Sequence, residues 1–218
     1  MRRTREEAAE TRRRAVEMAS RLYRERGLDA VTVADVMSAI GMTVGGFYRH
    51  FESRDALVAE ACGHAFDEAR QAHEAAVASA ADSEALAALL GRYLSRAHRD
   101  APATGCPVPA LLSSVARQPA SVRGMFTDAV RGKLAQIEEL TRGAAPEAQL
   151  AAVAGMFGAL ALARAVGDEG LSTRLLHDTR RYWISALGGR RGAGENGGRP
   201  GRRRHRAVPT APTSRERS

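Results

Sequence analysis

Two short segments lie back to back at residues 32–50, each opened by a threonine and the first closed by a glycine, and they constrain the fold more than anything else in the chain. Thr32 precedes Val33-Ala34-Asp35-Val36. A threonine there can cap a helix start, while an acid three residues on returns a bond to the cap's own backbone. Val31 before the cap and Val36 after it are spaced as a hydrophobic staple. Val33, Val36 or Met37, and Ile40 give the buried stripe, and Gly41 stops the helix. Thr43 can cap a third helix only two residues later, running to about His50. A longer helix over about 4–26 precedes them. Its apolar face carries Ala15, Ala19 and Leu22 with Val16 and Tyr23, Arg12, Arg13 and Arg14 lie largely off that face, and Gly27 is its stop. Two short helices across so tight a turn, behind a longer one, form a tri-helical helix-turn-helix module.

The rest of the chain reads as helix as well. Alanine and arginine abound, aromatic residues make up 5%, and no alternating strand pattern recurs. Ser53 caps a long helix reaching about residue 80, with Asp55 in its first turn. Further helices are expected over 82–99, 107–117, 119–142, 146–166 and 171–187, several opened by proline. The expectation is an all-α protein of about nine helices. Residues 1–52 form the helix-turn-helix domain, 53–188 a helical ligand-binding and dimerisation domain, and 189–218 a disordered Arg/Gly/Pro-rich tail without apolar periodicity.

The net charge of +8 is no nucleic-acid signal by itself. Residues 1–54 hold 11 Arg against 8 acids and residues 55–187 hold 13 basic against 15 acidic side chains, while 188–218 hold 9 Arg against 2 Glu. Nearly all the excess therefore sits in the tail. It either adds nonspecific affinity for DNA or is a solvated extension. The charged N-terminus lacks an apolar segment, and the run Leu150–Ala163 is short for a bilayer. Cys62 and Cys106 are not closely paired. A cytoplasmic protein with reduced thiols and no membrane partner is expected.

In a helix-turn-helix the outer side of the third helix enters the major groove and carries small or polar residues. Thr43-Val44-Gly45-Gly46-Phe47-Tyr48-Arg49-His50 meets that requirement. Gly45 and Gly46 each cost about 1 kcal/mol of helix propensity, which fits a backbone that must come close to DNA, or simple flexibility. Here the sequence closely resembles the TetR family of bacterial repressors. The resemblance is carried by residues 32–36, by Gly41-Met42-Thr43-Val44-Gly45-Gly46-Phe47-Tyr48-Arg49-His50-Phe51 and by Ser53-Arg54-Asp55-Ala56-Leu57. It implies phosphate contacts from Thr32, Thr43, Tyr48 and His50, with Arg54 pinning the next helix to the DNA backbone. Val44, Gly45 and Arg49 become the candidates for base edges, Arg49 for guanine and Val44 for a thymine methyl. Arg2, Arg3 and Arg5 would reach phosphates or the minor groove. Two departures stand out: Val44 replaces a commonly polar or basic residue, and Met37 a commonly small one.

The resemblance further implies a homodimer on a pseudo-palindromic operator, paired through the last two helices, and a cavity for a small-molecule effector. For the pairing, Ala151, Ala154, Gly155, Gly158, Ala159 and Ala163 allow close approach. Met156, Phe157, Leu160 and Leu162, with Leu171, Leu175, Tyr182, Trp183 and Leu187, supply bulk. The candidate cavity residues are Phe66, Tyr93, Cys106, Met125, Phe126, Met156 and Phe157, a mixture suited to an apolar or aromatic effector. Cys106 falls at an expected helix start, where a thiol pKa is lowered, so it is a candidate sensor of electrophiles or oxidants. No phosphate-binding glycine loop, H-E-x-x-H, paired C-x-x-C or nucleophile elbow occurs, and His64 and His73 lack metal-ligand spacing. Neither an enzyme, a cofactor nor a metal is expected. A nonspecific DNA binder relying on its basic tail, and an activator with the same fold, remain alternative readings.

Overall fold

Ala15, Ala19, Leu22 and Tyr23 of α1 (Arg5–Arg26) are buried along one face, as their spacing requires. Glu6 and Glu7 in the first turn and Arg24 and Arg26 in the last complement its dipole. The computed structural model describes residues 5–78, 80–81 and 83–188. The expected tail at 189–218, Arg2 and Arg3 lie outside the described residues. Gly27 (φ +86°) and Gly41 (φ +74°) take the left-handed conformation that ends α1 and turns the chain after α2 (Val33–Ala39).

The capping box of α2 is complete. Asp35 N–H donates to Thr32 Oγ1 (3.1 Å), and Thr32 N–H donates to Asp35 Oδ2 (2.8 Å). Val31 and Val36 are both buried, as the staple demands. The third helix differs from expectation. Val44–Arg49 is a 3₁₀ helix, and Thr43, in extended backbone, makes no side-chain cap. Six residues that include the pair Gly45-Gly46 have too little helix propensity to hold an α-turn.

α3 (Arg54–Ala78) starts with Ser53 Oγ accepting from Ala56 N–H at 3.1 Å. The expected helix over 82–99 is two: α4 (Ala85–Tyr93) and α5 (Arg96–Asp100). Leu94 leaves helical geometry, and Ser95 caps the new helix by accepting from His98 N–H (3.1 Å). A 3₁₀ turn (Pro102–Thr104) leads to α6 (Pro107–Val115), then α7 (Ala120–Leu140), α8 (Pro146–Ala165) and α9 (Glu169–Gly188). The described residues hold nine α-helices and no strand. α8 packs on α9, α7 and α6, and one buried apolar cluster extends from Ala15 to Leu187. α8 is long and apolar enough to cross a bilayer by length and composition alone. Its Ala152, Val153, Met156 and Leu160 are buried inside the protein.

α1 is locked to the body by Arg24, 3% exposed. Its guanidinium donates to Ser20 O (3.1 Å), Ser20 Oγ (3.1 Å), Gly105 O (3.0 Å) and Glu68 Oε2 (2.6 Å). Removing a buried charged partner costs far more than removing an exposed one. Glu68, partly exposed, can rehydrate, which places the cost at the low end of the buried-pair range. Arg24→Ala is expected to lose about 3 kcal/mol of stability in urea unfolding. Arg13→Ala, whose exposed side chain pairs with Glu10 and Glu17, should stay within about 0.5 kcal/mol of the parent.

Candidate nucleic-acid interface and ligand cavity

The 3₁₀ turn is mounted on a fixed base. Phe47 is fully buried and stacks on Phe51 with ring centroids 5.2 Å apart. Arg12 of α1 donates to His50 O (3.1 Å), pairs with both oxygens of Glu60 on α3, and lies 4.8 Å over the Phe51 ring. Arg14 donates to Ile40 O at 3.1 Å and so holds the end of α2. Expected to point away from the core, these two partly exposed arginines add polar ties to the apolar packing that joins the three helices. The clue was in the spacing, since Arg12 precedes Ala15 by three residues and Ala19 by seven, on the same helical face. The bulk of Met37 is also accommodated. Its methyl and that of Met42 lie 3.8 and 3.5 Å from where a Cβ on Gly46 would be.

Thr43, Val44, Gly45, Tyr48 and Arg49 share the outer side of this turn, all exposed. Tyr48 is 73% exposed, supported only edge-on by Phe47, and Val44 is 46% exposed. A Cβ on Gly45 would meet nothing within 4 Å, so the fold itself does not require glycine there. The other expected contacts are placed differently. The Thr32 hydroxyl is engaged with Asp35 (2.6 Å), and these bonds hold the Asp35 carboxyl below its usual pKa. Arg54 is half-buried and donates to Leu28 O. His50 is half-buried, with its carbonyl taken by Arg12.

A cavity of about 650 Å³ opens between α3, α6, α7 and α8. Phe66, Cys106, Met125 and Phe157 line it, as expected. Tyr93, Phe126 and Met156 do not: Tyr93 and Met156 are fully buried in the core, and Phe126 stands edge-on behind Phe66, 5.0 Å away. The cavity is less apolar than the sequence suggested, because His73 and Lys133 also line it. Both sit at core positions of their helices, His73 seven residues after Phe66 and Lys133 seven after Phe126. That register reads as a buried face, but a polar residue type at such a position gives no sign of whether it meets a cavity or the core. Burial first, then the charge of Lys133, pushes the His73 imidazole down to about 2, and burial brings Lys133 to about 8.

The family description "bacterial regulatory proteins, tetR family" matches residues 15–61, the stretch from the middle of α1 through the 3₁₀ turn into α3. Residues 15–61 thus resemble the DNA-binding segment of TetR-family regulators. Over 58 residues this chain is 43% identical to the HTH-type transcriptional regulator TtgR of Pseudomonas putida, covering 27% of this chain and 28% of that protein. Over 70 residues it is 37% identical to the HTH-type transcriptional repressor KstR2 of Rhodococcus jostii, covering 32% and 34%. The chain thus spans under a third of the length of TtgR in that match. A crystal structure of a TetR transcriptional regulator from Chloroflexus aurantiacus superposes with a TM-score of 0.71 at 24% identity, over 83% of this chain and 96% of that one. That likeness extends the shared fold to the helical body, and these relatives are regulators rather than enzymes.

Cys106 departs from the expected activated thiol. Its side chain is buried, and burial raises its pKa despite the start of α6 and a nearby Tyr93 hydroxyl. Cys62 is buried too, its thiol raised to about 11. Desolvation of the thiolate outweighs the helix dipole, which is worth at most about 2 kcal/mol. With Ellman's reagent at pH 7.5, the native chain is expected to show no fast-reacting thiol, and both cysteines should react together once urea unfolds it. Fast single-site labelling of Cys106 in the folded chain would contradict this account.

Proposed function

We propose that the chain is a ligand-responsive transcriptional repressor. A homodimer would read a pseudo-palindromic operator, and a small effector in the cavity beside His73 and Lys133 would release it. The observation that carries this reading is the outer side of the 3₁₀ turn. Tyr48 and Val44 stand in water beside an unobstructed Gly45, on a base whose Phe47 and Phe51 are buried. Thr43 and Tyr48 suit backbone phosphates, Arg49 a guanine edge, Val44 a thymine methyl, and Gly45 a close backbone approach. Arg54 would steady the start of α3 from inside the protein rather than reach DNA, since its guanidinium is already committed to Leu28 O.

Pairing of two copies through α8 and α9 is supported by Leu150, Leu162 and Tyr182, large side chains that are 54%, 54% and 62% exposed. Several small residues expected at that interface serve the monomer instead. Ala159 and Ala163 are buried, and a Cβ on Gly155 would fall 2.8 Å from Trp183 Nε1 of the same chain. Ala151 and Ala154 remain exposed. Two recognition elements related by a two-fold axis then match half-sites about one helical turn apart. Release would run through Gly105. Its carbonyl holds Arg24 of α1, and the next residue, Cys106, lines the cavity. A soluble cytoplasmic setting agrees with this role.

The test is selection of binding sites from a randomised DNA pool at moderate salt, with the full chain and with a chain lacking residues 189–218. One palindromic site is expected, kept by the shortened chain, with Tyr48→Ala plus Arg49→Ala weakening binding by about tenfold or more. Gly45→Ala should leave stability unchanged and weaken operator binding. Loss of all binding with the tail alone would instead indicate a nonspecific binder with steep salt dependence. In sedimentation, Leu162→Glu is expected to shift the dimer towards monomer.

A further inference from the structure

Lys133 is the one charged group in the cavity lining without an oppositely charged partner among the described residues. The carboxylates at the mouth are matched: Asp67 and Glu74 by Arg70 (3.4 and 3.0 Å), Asp128 by Arg131 (3.5 Å) and Glu139 by Arg142 (3.6 Å). Lys133, 9% exposed, donates to the neutral amide oxygen of Gln136 at 2.7 Å. An ammonium has three protons to give, and a buried charge held by a single amide is poorly compensated. His73 stands beside it, 4% exposed, and its Nε2 has no hydrogen-bond partner among the described residues. Both groups lie close to the Tyr93 ring, the Lys133 Nζ 5.9 Å and the His73 ring 5.4 Å from its centre. Opposite them the wall is apolar, with Phe66, Val108, Met125, Ala129 and Phe157.

We propose that the effector is an apolar monocarboxylic acid whose carboxylate is bound by Lys133 Nζ and His73 Nε2, with its hydrocarbon or aromatic body against Phe66, Met125 and Phe157. One unmatched cation calls for one anion. A carboxylate accepts several hydrogen bonds at once, satisfying the spare ammonium protons and the free imidazole N–H together. His73 is neutral near pH 7, so it serves as a donor without adding a second charge. The matched mouth gives no further purchase to a phosphate ester or other polyanion. This assignment rests on the reading of the chain as ligand-responsive.

The experiment is calorimetric titration of the full-length chain with three acids, phenylacetate, 1-naphthylacetate and decanoate, each set against its primary amide. At least one acid is expected to bind about tenfold or more tightly than its amide, the value of a charge-assisted hydrogen bond. Lys133→Met, close in volume and apolar, should abolish that preference while leaving amide binding unchanged, and His73→Phe should reduce it. Lys133→Gln serves the same end should the Met variant unfold on melting. Acids and amides binding equally, a preference unchanged in both Lys133 variants, or no binding by any acid would each overturn the proposal. The same compounds are then tested for operator release. Release by amides and acids alike would overturn the anion site but leave the ligand-responsive reading standing. Lys133-dependent acid binding without release would uphold the site and count against that reading.

Discussion

The structure turns on the guanidinium of Arg24. It is a last-turn charge of α1, and in its buried position each of its three nitrogens meets a protein acceptor: its own helix at Ser20, α3 at Glu68, and the carbonyl of Gly105 ahead of α6. A buried arginine tolerates few arrangements, because any movement that breaks one bond leaves a charge poorly compensated in a low-dielectric interior. The orientation of α1, and with it the base of the helix-turn-helix, is therefore tied to the loop before α6. That loop is itself tightly held. Cys106 N–H donates to His98 Nε2 (2.9 Å), and Arg164 donates to the carbonyls of His98 (2.8 Å) and Arg99 (3.1 Å). A Cβ at Gly105 would fall 2.9 Å from both Arg164 and His98, so only glycine lets these groups close around the loop.

What the sequence disclosed, it disclosed where the cause is local. The capping box at Thr32–Asp35, the cap at Ser53 and the glycine stops at 27 and 41 depend on residues within one helical turn, and each is present. The break between α4 and α5 has a local cause too, the Ser95 cap. Continued apolar spacing through Leu89, Leu90, Tyr93 and Leu94 concealed it, because a leucine can be buried in a loop as well as in a helix. The 3₁₀ form of the recognition element was implied by Gly45-Gly46, whose low propensity was visible while its consequence for helix type was not. The polar floor of the cavity had no local signal. His73, Lys133 and Cys106 come from α3, α7 and the start of α6, and only the packing of those helices brings them together.

The same packing explains why some of the expected cavity residues line the space and others do not. Phe66 and Phe126 occupy one aromatic pair, and an edge-on pair has a front and a back, so only Phe66 reaches the opening. Tyr93 contributes in another way. Fully buried, it presents its ring to His73, His98 and Lys133 at once and sets the spacing of the polar groups without entering the cavity. A residue type chosen as a ligand contact thus acts as the wall that orders the contacts.

Two buried polar atoms, His73 Nε2 and Arg164 Nη1, lack hydrogen-bond partners among the described residues, and the Tyr93 hydroxyl has only the weakly bonding Cys106 thiol beside it. Each such group costs about 1–3 kcal/mol relative to a satisfied one, a large sum for a domain whose net stability is only about 5–15 kcal/mol. All three belong to one neighbourhood, around the loop that carries Gly105 and Cys106. His98 stacks edge-on to Tyr93 at 4.8 Å, and Arg164 holds the His98 carbonyl. An apolar core at these positions would be more stable, and nothing in helix packing alone calls for polar groups there. Their cost becomes intelligible if the neighbourhood has a second arrangement in which the partners are supplied. A ligand satisfying His73 would relieve part of that cost, and the relief would act beside the carbonyl that positions Arg24. The energetic weak point of the body and the joint that orients the helix-turn-helix are thus neighbours in space.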